Sequence, residues 1–133
     1  MIGMSIPLKL LIGHLIGDYL LQSRDMAENK GEKEGFWWSI LHGVLYTMAV
    51  CTLLWNFHPQ TVILIFLSHW PIDRFGVASW WCRNVLDRDP GDVYKFANRF
   101  REIRVGFACL HYAIVDNTMH LILMLAFWQF GLI

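Results

Sequence analysis

Four apolar stretches, roughly Met4 to Ser23, Phe36 to Asn56, Pro59 to Trp81 and Val105 to Phe130, occupy most of this 133-residue chain. Each has the roughly 20 residues that cross a hydrocarbon core of about 30 Å at 1.5 Å per residue. The whole chain is 56% hydrophobic with a mean hydropathy of +0.38, above the roughly 45–50% apolar share of soluble domains. The expected fold is an all-α membrane protein: one domain over 1–133, a four-transmembrane-helix bundle crossing the bilayer four times. Net charge is zero, so no general attraction to nucleic acid is expected.

Basic residues orient the spans. Arg24, Lys30 and Lys33 lie between spans one and two, and Arg83, Arg88, Lys95, Arg99, Arg101 and Arg104 between spans three and four. The turn Phe57-His58-Pro59-Gln60 has none. The positive-inside rule places loops 24–35 and 82–104 in the cytoplasm and both termini on the outer side. Trp37, Trp38, Trp80 and Trp81 fall at the cytoplasmic ends, with Trp55 and Trp128 near the opposite face, as interfacial indoles do. Lys9 and Arg74, within spans, are expected to snorkel to the nearer surface. His14 and Asp18 interrupt the first apolar run and no basic segment precedes it, so a cleaved signal peptide is not expected. Cys51, Cys82 and Cys109 show no paired or zinc-finger spacing. Within the second charged loop, Val93, Phe96, Ala97, Phe100 and Ile103 recur at helical spacing. This predicts an amphipathic helix over about 92–104, on the inner leaflet or capping the bundle.

Ionisable residues inside spans are costly and mark function by default. Span one carries His14 and Asp18, span three His69 and Asp73, span four Asp116 and His120, each pair on one helix face. Span two adds His42, with Tyr46 a turn on. Spans one and three read His-x-x-x-Asp; span four, running the other way, reads Asp-x-x-x-His. The reversals cancel, leaving every carboxylate nearer the cytoplasm. Counting from each cytoplasmic end puts Asp18, His42, Asp73 and Asp116 roughly 8–13 Å deep, and His14, His69 and His120 roughly 13–20 Å deep. One such pair reads equally well as a helix–helix hydrogen bond; three at matched depth do not.

Carboxylates gathered in a dry interior need compensation. A divalent transition metal, Zn, Mn or Fe, suits a His/Asp donor set. His14, Asp18, His42, His69, Asp73, Asp116 and His120 are the candidate ligands, and seven donors suffice for one or two ions. Gln22 and Tyr46 are candidates to orient them. Gly13 and Gly17 allow close helix approach beside His14 and Asp18, and Pro71 is expected to kink span three and free the Leu67 carbonyl.

The segments HLIGDYLLQ (14–22), LHGVLYT (41–47), HWPID (69–73) and VDNTMH (115–120) resemble a domain-of-unknown-function family of small four-helix inner-membrane proteins of bacteria and their phages. That family is distantly similar to the YdjM-like membrane-bound metal-dependent hydrolases. The resemblance implies a bacterial inner-membrane location, a metal and hydrolysis. The function expected is a metal-dependent hydrolase with Asp18 or Asp116 as general base. Arg99, Arg101 and Arg104 would hold a lipid or lipid-linked phosphate at the cytoplasmic leaflet, making the bilayer and its anionic head groups the partners; homo-oligomers are compatible. A cation, proton or metal transporter and a non-catalytic interaction protein are the competing readings.

Overall fold

A computed structural model describes residues 3–88 and 101–133, side chains excepted at 33 and 101–104. Among the described residues the chain is helical, with no strand. The helices are α1 (Ile6–Leu15), α2 (Arg24–Asn29), α3 (Phe36–Leu54), α4 (Pro59–Arg74), α5 (Val77–Asn84) and α6 (Arg101–Gln129). A π-helical turn, Ile16–Leu20, extends α1, and a 3-10 turn, Lys33–Gly35, leads into α3. α1 packs on α3, α3 on α4, α4 on α6, and α6 back on α1; α5 lies against α6 and α2 against α3.

Two helical segments, Phe36–Leu54 and Val105–Gln129, are long and apolar enough to cross a membrane. The first and third expected spans are shorter as helices than the sequence suggests. α1 has 10 residues and its π turn 5, and α4 has 16. α4 runs through Pro71, and the interruption falls at Phe75 and Gly76 instead. Gly76 has φ +59, a left-handed conformation that glycine adopts without a Cβ penalty. The α3–α4 turn closes with Trp55 at φ 57, the Asn56 amide donating to the Cys51 carbonyl, the hydrogen-bond pattern of a Schellman cap. Of the expected 92–104 helix, residues 92–100 lie outside the described residues, and 101–104 begin α6.

Polarity is distributed inside out. Large apolar side chains such as Leu15, Leu41, Met48, Ile63, Leu67 and Ile122 are exposed, while His14, His42, Ser68, His69, Asp73 and His120 are buried. Beyond this polar layer lies an apolar cluster of Leu10, Tyr46, Val50, Ile65 and Met124. Glycines bring α1 and α3 together: a Cβ at Gly13 would sit 2.9 Å from the Val50 Cα, and one at Gly17 would sit 2.5 Å from a Tyr46 ring carbon.

The segment between the π turn and α3 folds back over the polar layer. Ser23 caps α2 by accepting from the Met26 amide, and Met26 is buried. Arg74 does not snorkel away; its Nη1 donates to the carbonyls of Glu32 (2.6 Å) and Lys30 (3.3 Å). Gly35 is required here because a Cβ would collide with the Asn29 carbonyl. Removing the clamp with Arg74→Ala is expected to speed proteolysis within 30–35 about tenfold, measured by timed digestion, since charge-assisted bonds set the local opening energy.

Candidate metal centre

The seven candidate ligands arrive from four helices. His14 closes α1 and Asp18 stands on the π turn, a helix irregularity found often at functional sites. His42 comes from α3, His69 and Asp73 from α4, and Asp116 and His120 from α6. The structure draws their ligating atoms into one continuous cluster, with no gap between a carboxylate layer and an imidazole layer. His42 Nε2 and His69 Nε2 lie 3.0 Å apart. Asp18 Oδ1 is 3.3 Å from the first and 3.4 Å from the second, and Asp73 Oδ2 is 3.1 and 3.2 Å from them.

These separations are compatible with a metal cage as well as with a hydrogen-bond network. Charge-assisted hydrogen bonds run about 2.7–2.9 Å. Atoms each about 2.0–2.2 Å from a shared ion stand roughly 2.8–3.6 Å apart, from octahedral to tetrahedral edges. The five contacts, at 3.0 to 3.4 Å, fall in the second range. Moreover Asp18 Oδ1, Asp73 Oδ1 and His120 Nε2 are buried without a hydrogen-bond partner among the described residues, an arrangement that buried polar atoms avoid unless something else satisfies them. The donor set fits a divalent cation. Three groups, His14–Asp18–His69, His42–His69–Asp73 and Asp18–Asp116–His120, each place ligating atoms within 4.8 Å of one another and can hold a metal ion.

Both aspartates face two ways. Asp73 turns Oδ2 to His42 and His69 and Oδ1 to His120, 3.4 Å away. Asp18 turns Oδ1 to the same two histidines and Oδ2 to His14 Nδ1, 3.4 Å away. Asp116 Oδ1 lies 3.6 Å from His120 Nε2. Asp18 and Asp73 thus each stand between His42 and His69 on one side and a further imidazole, His14 or His120, on the other.

Surrounding groups fix the imidazoles. Tyr46 stacks on the His69 ring, centroids 3.6 Å apart, and its hydroxyl is 2.9 Å from His14 Nδ1. His14 Nε2 meets Asn117 Oδ1 at 2.7 Å. That oxygen only accepts, which assigns the donor role to Nε2, while Nδ1 faces the Tyr46 hydroxyl and Asp18 Oδ2. His120 Nδ1 meets the Ser68 carbonyl at 3.3 Å. Gln22 lies beside the cluster, with its amide nitrogen placed to donate to the Asp18 carbonyl.

A family model described as a protein of unknown function, DUF3307, matches residues 6–132. The chain belongs to the DUF3307 family. No curated protein and no solved structure gives a significant match, so the chemistry of this DUF3307 chain is argued from its own side chains.

Two groups close to the cluster carry no signal in the sequence pattern. Lys30 reaches in from the C-terminal end of α2, its Nζ 2.6 Å from Asp73 Oδ2. Asn117 bonds His14, and its amide nitrogen donates to the Tyr19 hydroxyl and the Ala113 carbonyl. A pocket of about 250 Å³, lined by Asp18, Gln22, Lys30, Tyr112 and Asp116 among others, opens beside the carboxylates. Of the expected phosphate contacts, Arg99 lies outside the described residues, as do the side chains of Arg101 and Arg104. His111 stands apart, 3.5 Å from an Arg88 guanidinium nitrogen.

Proposed function

We propose that this DUF3307 protein is a membrane-embedded, metal-dependent hydrolase that releases phosphate from a lipid or lipid-linked phosphate at the cytoplasmic leaflet. The observation that carries this reading is the nest of His42, His69, Asp18 and Asp73 atoms at 3.0–3.4 Å, beside a pocket that Asp18 also lines. One or two ions, Zn, Mn or Fe, would suit this His/Asp donor set. The first would be held by His42, His69, Asp18 and Asp73. A second would be held by His120, His14 and the remaining oxygens of Asp18 and Asp73, leaving Asp116 unligated at the pocket.

The apolar exterior around a polar interior favours a membrane-embedded bundle; in this reading the chain crosses a bacterial inner membrane four times, with loops 24–35 and 82–104 cytoplasmic and both termini periplasmic, the orientation that the basic residues favour. α1 and α4 are short for a full span, and local bilayer thinning or flanking residues would complete them. In this reading the YdjM-like hydrolases are distant relatives, and Arg99, Arg101 and Arg104 meet the anionic head group from the cytoplasmic loop. Transport is disfavoured because the polar layer ends on the apolar cluster of Leu10, Val50, Ile65 and Met124, which offers a cation no onward partner.

A divalent ion at this site makes water more acidic and neutralises phosphate charge. Asp116 lines the pocket and is 13% exposed at its side chain, which suits it to take the proton as general base. Water attacks phosphorus, the P–O ester bond breaks with its electron pair leaving on the alcohol oxygen, and the proton from Asp116 goes to that oxygen. The test is phosphate release from phosphatidate and polyprenyl phosphate in mixed micelles. Asp116→Asn is expected to lower kcat about 100- to 1000-fold while the chain retains at least one ion. Absence of phosphate release from both substrates by the metal-loaded protein would refute the hydrolase.

A further inference from the structure

Lys30 is a cation delivered to the metal cluster from outside the long helices. Its side chain is 17% exposed, against 2% for its partner Asp73. The carboxylate oxygen it holds, Asp73 Oδ2, is the one that also faces His42 Nε2 at 3.1 Å and His69 Nε2 at 3.2 Å. The same ammonium lines the pocket that opens beside Asp18 and Asp116. Gln22 completes its surroundings, its amide oxygen placed 2.9 Å from Nζ. The backbone beneath is pinned: the Lys30 amide donates to the Met26 carbonyl, and its own carbonyl accepts from Arg74. The backbone is thus held in place, while the ammonium is a point charge on a flexible four-carbon chain.

Two demands meet at Asp73 Oδ2. With no ion present, a buried carboxylate beside Asp18 needs a positive partner, and Lys30 supplies it. An ion among His42, His69, Asp18 and Asp73 brings two positive charges to the same oxygen and repels the ammonium. The open direction is the pocket. There, beside Asp18 and Asp116, the displaced ammonium is placed to pair with an anionic oxygen of a substrate.

We infer that Lys30 is a built-in counter-ion that occupies Asp73 in the metal-free protein, is displaced into the pocket when the metal binds, and there holds a phosphate oxygen of the substrate. This rests on the metal reading above and names the residue that recognises the anionic group. The shared chemistry is a phosphate carrying at least one negative charge, free or borne by a lipid.

The test uses detergent-purified full chain, Mn²⁺ and inorganic phosphate. Lys30→Met removes the competitor for Asp73, so Mn²⁺ is expected to bind about tenfold more tightly. The same variant, loaded with Mn²⁺, is expected to lose phosphate affinity about tenfold or more, read from the ³¹P line broadening that bound Mn²⁺ causes. Lys30→Arg is expected to restore phosphate binding. Repeating the titration with phosphatidate in mixed micelles identifies the source: equal losses for both probes point to free phosphate, and a larger loss for phosphatidate points to a lipid head group. Lys30→Gln, judged by its elution and helical circular dichroism, replaces Met if that variant does not fold. Unchanged or weaker Mn²⁺ binding, or unchanged phosphate binding in the folded variant, overturns the assignment while leaving the metal centre intact. A wild-type chain that binds no Mn²⁺, Zn²⁺ or Fe²⁺ overturns both.

Discussion

Asp73→Asn is expected to leave the protein folded and nearly devoid of metal. Asp73 is the residue on which the cluster converges: its Oδ2 faces His42 and His69, its Oδ1 faces His120, and Lys30 holds it from the pocket side. An amide keeps the volume but removes the negative charge, and it turns one metal-facing atom into an N–H₂ donor that repels a cation. Losing a group that merely orients a ligand costs about 10- to 100-fold in metal affinity. Losing a carboxylate that would itself be a ligand is expected to cost more, about 1000-fold, by that scale. The fold is expected to survive because the substitution is isosteric and the helices meet through the Leu10, Val50, Ile65 and Met124 cluster and the glycine contacts elsewhere. Metal titration followed by circular dichroism reads both. Wild-type metal affinity in Asp73→Asn would remove this residue from the centre.

The second large effect is steric and acts through packing. Gly17→Val places a Cβ where the structure leaves 2.5 Å to the Tyr46 ring and 3.1 Å to the Tyr46 backbone. The ring cannot swing aside freely, because it is stacked on His69 and its hydroxyl meets His14. α1 and α3 must therefore separate, which costs about 1–3 kcal/mol as overpacking does. The same movement carries Asp18, one residue along the π turn, away from His42 and His69. Thermal unfolding in detergent is expected to show the loss of stability, and metal content is expected to fall with it. Gly106→Ala is the control, since a Cβ there meets nothing within 4 Å. A Gly17→Val protein as stable and as metal-rich as wild type would contradict the packing described.

These two residues also show where sequence reasoning reaches. His14/Asp18, His69/Asp73 and Asp116/His120 are legible because i, i+4 spacing on a helix fixes a shared face. Tyr46 is legible as a turn from His42, though its stacking on His69 is a tertiary fact. Lys30 is not legible, because its approach depends on how α2 and the 3-10 turn fold back, and that path is set by Arg74, Ser23 and Gly35 acting at a distance. The π turn under Asp18 has no periodic signature either, since one extra residue per turn barely alters an apolar pattern. The break near the end of span three illustrates competing rules. Pro71 draws the eye, yet the helix continues through it and stops at Gly76, whose left-handed backbone no hydropathy pattern encodes. Helix lengths were overread at α1 and α4 for a related reason: apolar residues continue past the point where the backbone leaves the helix.

The central claim is that the His/Asp cluster is a metal centre, and elemental analysis addresses it most directly. Wild-type chain purified in detergent without added chelator and measured by inductively coupled plasma mass spectrometry is expected to carry between about one and two equivalents of Zn, Mn or Fe. Under the same treatment Asp73→Asn is expected to carry almost none. A wild-type protein that elutes folded, contains no transition metal and takes up none when Zn²⁺, Mn²⁺ or Fe²⁺ is supplied would contradict the account.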